Sequence, residues 1–79
     1  MSKPVPSLGR IVHVTTKEMI NGQYTHAAII TQVWGDDMIN VTVFPGSGPS
    51  IGYGSIFHQD SERKGDTFWF WPPLVPPRT

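Results

Sequence analysis

The run Phe68-Trp69-Phe70-Trp71-Pro72-Pro73 sets four large aromatic side chains in consecutive positions, then two residues that cannot donate a backbone hydrogen bond. In a strand successive side chains face opposite ways, so Trp69 and Trp71 share one face while Phe68 and Phe70 share the other. One of these faces can build a core, and a chain of 79 residues has room for only one. The opposite face is then a second packing layer, a subunit interface or a surface on which a ligand stacks. Pro72 and Pro73 stop further pairing and make the run a closing or edge strand.

The remaining chain is cut into short pieces by eight glycines and eight prolines, which favours turns and strands over helix. Gly9-Arg10-Ile11-Val12-His13-Val14 is a β-branched run with Ile11 and His13 on one face and Val12 and Val14 on the other. Residues 15–24 read as the reversal after it, with room for one helical turn over 16–20. Asn21-Gly22 is its turn signal, because both residues tolerate positive φ. Residues 25–34 are apolar without a break at Ala27-Ala28-Ile29-Ile30, as expected of a strand covered on both faces. After a turn at Gly35-Asp36-Asp37, residues 38–44 alternate cleanly, with Ile39, Val41 and Val43 as the core face.

Residues 45–54 form a ten-residue loop with four glycines, and such loops on a rigid scaffold often carry binding function. Residues 55–59 make a fourth strand, 60–66 a polar turn and 67–71 the fifth strand. Five short strands and tight turns predict an all-β fold. Its form is a small five-stranded SH3-like barrel or a strongly bent antiparallel sheet, the latter able to pair with a copy of itself. Residues 1–8 form an extended N-terminal arm, 9–72 a single β domain, and 73–79 a proline-rich tail whose Leu74 and Val75 are available for docking.

Six basic residues balance six acidic ones, and they are scattered rather than gathered on one segment. A phosphate-backbone footprint is missing, which argues against long nucleic acid as a partner. The absence of cysteine removes disulfides, thiolate metal sites and cysteine nucleophiles, and it fits a reducing compartment. The first residues lack the apolar stretch of a secretory signal, and no apolar run nears the roughly 20 residues of a spanning helix. A cytoplasmic protein with no membrane partner is expected, and a chain this small gains from forming a homo-oligomer.

His13, His26 and His58 are not spaced as a zinc set, so no metal and no cofactor is expected. Ser47, Ser50 and Ser55 lie in or beside the glycine loop, yet no nucleophile motif surrounds them and no catalytic residue is assigned. Gly46-Ser47-Gly48 lacks the lysine and the helix of a phosphate-binding loop, although its amides could hold a phosphate with Ser47 or Ser50 assisting. Trp34, Tyr53, Phe57, Trp69 and Trp71 are candidates for a ligand wall, since base stacking needs no charged surface. Arg10 would serve as a bidentate phosphate partner and His13 as a polar tip. The competing expectation places Trp34, Phe44 and Phe57 in the barrel core and makes His13 a hydrogen-bonded histidine at the core edge.

Four blocks in order, Gly9-Arg10-Ile11-Val12-His13, Ala28-Ile29-Ile30-Thr31 with Val33-Trp34, Asn40-Val41-Thr42-Val43-Phe44, and Trp69 with Trp71-Pro72, resemble a family of short phage-encoded proteins. The likeness covers most of the chain from residue 9 to residue 72. It departs from the family pattern at Phe70, where histidine is expected between the tryptophans, and at Val14, where tyrosine is expected. A phage origin implies, by analogy of class and size, an inhibitor of host defence that sequesters a nucleotide second messenger in a compact oligomer. The ligand-binding set under this expectation is Arg10, His13, Ser47, Ser50, Tyr53, Trp69 and Trp71, in a protein that is not an enzyme. The alternatives are a module that binds a host or virion protein and a small hydrolase.

Overall fold

The computed structural model describes residues 5–73. The tail from residue 74 onward, with Leu74 and Val75, lies outside the described residues, as do the first four residues of the arm. Five strands follow in order: β1 (Ile11–Ile20), β2 (Gln23–Val33), β3 (Met38–Phe44), β4 (Ile51–His58) and β5 (Phe68–Phe70). They close into a barrel in chain order, with β5 returning to pair with β1. The small SH3-like barrel is therefore the form adopted, and the open sheet is not. Closure removes the unpaired strand edges that an open sheet would expose. Neighbouring strands run antiparallel except β4 and β5, which are parallel.

The β1–β2 hairpin turns at Asn21 and Gly22, both at positive φ (52° and 80°), which is the backbone twist a two-residue hairpin requires. Residues 15–20 do not turn or coil but continue β1, because the reversal is completed by those two residues alone. An isolated helical turn would have to hold against a ladder that already pairs the flanking residues. The ladder slips between Thr15 and Ile20, and there buried Thr16 donates its hydroxyl to the carbonyls of Glu18 (2.7 Å) and Tyr24 (3.3 Å). Irregular backbone is thus satisfied by a side chain in place of the ladder.

Ala28 and Ile30 of β2 point inward while Ala27 is exposed, so this strand is covered on one face rather than two. A single-layer barrel has one interior, and the short side chain of Ala27 made an outward position look like a core one. The glycine loop is also shorter than expected. It spans 45–50, because Ile51, Gly52 and Tyr53 pair with Val43, Thr42 and Val41 of β3. The fourth strand accordingly begins at Ile51 and ends at His58, and the fifth is limited to Phe68–Phe70.

The core consists of Val12, Val14, Ala28, Ile30, Ile39, Val41, Val43, Ile56 and Trp69. On β3 the inward set is Ile39, Val41 and Val43, as the alternation requires. Trp34, Phe44 and Phe57 are not in this cluster: the first two are exposed and Phe57 is half-buried. Each follows an inward neighbour, Val33, Val43 or Ile56, and strand alternation sends it outward. The barrel is filled by seven β-branched residues, Ala28 and one indole. Within the arm Pro6 is buried, and Gly9, the first residue after the arm, donates to the Ile30 carbonyl at 2.8 Å.

Candidate functional site

Arg10 has the same parity on its strand as Val12 and Val14, and Trp71 the same as Trp69, so both continue the inward-facing rows past the last ladder pairs. The Arg10 guanidinium lies over the Trp71 ring at 5.2 Å from its centroid. Trp71 in turn meets Trp69 edge to face, with centroids 5.4 Å apart and planes at 86°. Such a stack fixes the arginine while leaving its five donors free for a planar anion. Tyr53 belongs to the same region. Ile30 donates to the Arg10 carbonyl at 2.9 Å and pairs with Val41, which pairs with Tyr53, so one transverse row joins Arg10 to Tyr53. Trp71 and Tyr53 both pack on the core cluster.

The other candidates are not brought to this place. Trp69 is a core residue with its indole N–H bonded to the Asp37 carbonyl at 2.9 Å, so it supports Trp71 instead of forming a ligand wall. His13 is on the outer face, paired with Ala27 on β2 and Phe70 on β5, and its ring meets Phe70 edge to face at 5.5 Å. It is neither beside Arg10 nor inside the core edge, because adjacent parities on one strand face opposite ways. Ser47 and Ser50 follow Phe44, which shares a row with His13, and the loop runs from there toward the β1–β2 tip. Asn21 ties that tip to the loop by donating its side-chain amide to the Ser47 carbonyl. Arg10 lies in the opposite direction along β1. The expected set therefore divides into Arg10, Tyr53 and Trp71 in one region, His13 on the outer wall, and the two serines at the hairpin tip.

A constellation that no motif announced lies at the β2–β3–β4 junction. The Trp34 indole N–H donates to Asn40 Oδ1 at 2.9 Å, and the same oxygen accepts the Ser55 amide at 2.7 Å. Trp34 is nevertheless 54 % exposed. The ladder slips on both sides of Asn40, between Ile30 and Gln32 on one flank and between Ile39 and Val41 on the other. Such bulges re-aim side chains. Ser55 sits at φ 53°, a conformation uncommon for a residue with a Cβ, and Gly52 and Gly54 leave the neighbouring floor of β4 without side chains. The result is an indole face presented to solvent in a fixed orientation. An amide side chain within a mostly apolar strand, opposite a glycine-rich one, was the available signal.

No family model, curated protein or solved structure matches the chain. The site rests on its own geometry. Elsewhere, Arg63 and Lys64 of the β4–β5 connection lie over Phe57 and Phe68 at 4.9 and 4.7 Å from the ring centroids. Among the described residues no three His, Asp or Glu side chains converge as a metal set, and no helix is long and apolar enough to cross a membrane. Among the described residues one buried side-chain polar atom has no partner: Nε2 of His26, a residue only 5 % exposed and paired with Val14 inside the barrel.

Proposed function

We propose that the protein is a non-enzymatic, phage-encoded binding protein that sequesters a small nucleotide signalling molecule in the host cytoplasm and works as a homo-oligomer. The observation that carries this reading is Trp34, a half-exposed indole held in place by Asn40. Stacking a base on such a face contributes about 1–3 kcal/mol and requires no charged surface, in keeping with the balanced charge of the chain. Arg10, fixed over Trp71, supplies a planar cation for phosphate, with Tyr53 on the same row. The phage origin and the defence-related role rest on the four-block resemblance. A panel of cyclic and linear nucleotides, followed by thermal shift and calorimetry, tests the proposal. Binding to at least one of them that is weakened by Trp34→Ala supports it, and silence across the panel overturns it.

A second reading, a module that binds a host or virion protein, is favoured by the outer-wall row Phe44, Ala27, His13 and Phe70, in which no residue is acidic, lysine or arginine. Stoichiometric capture of a single protein from host lysate distinguishes it. The hydrolase alternative needs a nucleophile beside a base. Its test is turnover of a nucleotide or ester that is lost on changing His13 or a serine of the glycine loop, and absence of product after long incubation removes it.

A further inference from the structure

Gly52 and Gly54 stand at alternate positions of β4 on its outer face, with Tyr53 between them packed on the core. Glycine weakens the interior of a strand, so two of them this close call for a reason. The fold supplies none. Neither residue is at positive φ, and the left-handed position of the adjoining bulge is taken by Ser55 at φ 53°. A Cβ at Gly52 would meet no atom within 4 Å, and one at Gly54 would meet only the Asn40 side chain, at 3.5 Å, an ordinary contact. What glycine secures here is bare backbone on the outer wall, open to close approach from outside. The Trp34 indole stands at the Gly54 end of this strip, since the Asn40 Oδ1 that holds it is also the atom nearest to a side chain placed at Gly54.

We infer that this strip is the seat of a nucleobase, laid on the backbone of Gly52 and Gly54 with the Trp34 indole as its stacking wall, a deepening that rests on the nucleotide ligand of the proposed function. Three features select a base. A floor without side chains suits a flat ring, an oriented indole supplies a π-face, and the bordering side chains of Thr42 and Ser55 are polar and uncharged. A nucleobase is flat, stacks on aromatic faces and carries polar edges without formal charge. The same surroundings set its orientation. Asp36 and Asp37 occupy the turn that follows Trp34, so a phosphate is repelled from that end and the base alone is seated there. Gly52 and Gly54 are the specificity-determining residues, because a side chain at either stands where the ring lies.

Nuclear magnetic resonance on the full chain tests the seat, reading the amides of Gly52 and Gly54 and the indole N–H of Trp34 while the four ribonucleosides and their 5′-monophosphates are added. The filled variant is Gly52→Thr/Gly54→Ala, and Gly65→Ala, in the β4–β5 connection with open space around it, is the control. At least one base is expected to shift all three signals in the wild type, with an affinity that falls about fivefold or more in the filled variant and not in the control. The filled variant is expected to melt no lower than the wild type. A lower melting temperature overturns the inference, because the fold itself then demands glycine. Unchanged affinity in the filled variant also overturns it, and leaves the nucleotide reading standing with the ligand bound elsewhere. Nucleosides that move the three signals while no nucleotide binds keep the seat and defeat the nucleotide reading. No movement of these signals with any probe overturns the seat, whether or not a nucleotide binds at other residues.

Discussion

The indole N–H of Trp69 donates to the Asp37 carbonyl at 2.9 Å, joining the last strand of the barrel to the turn between the second and third. Trp69 also makes edge-to-face contacts with His58, centroids 4.7 Å apart, and with Trp71, centroids 5.4 Å apart. The most buried aromatic side chain is therefore also the closure of the barrel. Trp69→Ala is expected to cost about 3–5 kcal/mol in urea unfolding, enough to unfold many domains of this size. Trp69→Phe keeps most of the volume and removes one of the two hydrogen bonds to the Asp37 carbonyl, which still accepts the His58 amide at 2.9 Å, so its expected loss is about 0.5–1.5 kcal/mol.

His26 should behave in the opposite sense. Its Nε2 is buried and unpartnered, so the fold bears a desolvation cost with nothing to offset it. His26→Leu is expected to leave stability unchanged or to raise it by about 1 kcal/mol in the same unfolding measurement. A loss larger than that would show that the imidazole serves the core through a bond to water.

The hairpin tip depends on backbone conformation more than on packing. Gly22 has φ 80°, and a side chain there meets no neighbouring atom, so Gly22→Ala carries a purely conformational penalty of about 1–2 kcal/mol. Asn21→Ala adds the loss of the tie to the Ser47 carbonyl. Chemical denaturation of both variants, with faster amide exchange in residues 45–50 for Asn21→Ala alone, checks the two effects separately.

Asn40 should act on Trp34 without contacting a ligand. Asn40→Ala removes the acceptor shared by the Trp34 indole and the Ser55 amide, at an expected cost of about 0.5–1.5 kcal/mol, and frees the indole to rotate. Trp34→Ala, at an exposed position, should change stability by less than about 0.5 kcal/mol. In calorimetry both variants should weaken nucleotide binding, Trp34→Ala the more. Equal binding by all three proteins would place the ligand elsewhere.

The parts of this protein legible in its sequence share one property: they depend on neighbours along the chain. The inward set Ile39, Val41 and Val43 follows from period-two alternation, and the reversal at Asn21-Gly22 follows from tolerance of positive φ. Trp34 and Phe44 misled because hydrophobicity alone suggested core positions, whereas alternation from Val33 and Val43 sends both outward. The site was less legible than the fold. Arg10 and Trp71 were both candidates, but their stacking depends on β5 returning to β1, a pairing between residues more than fifty positions apart.

The sequence by itself determined an all-β chain of five strands, the faces of its most regular strand and the turn of its first hairpin, since these are local preferences of side chain and backbone. The tertiary structure alone decided which aromatic residue fills the barrel, which indole faces solvent, and how the candidate residues divide among three regions. Closure is the physical reason. Once β5 pairs with both β1 and β4, a single interior remains, with space for Trp69 and not for Trp34 or Phe44. Register then sets every other side chain on the wall or at the end of the barrel, where a ligand or a second copy can reach it.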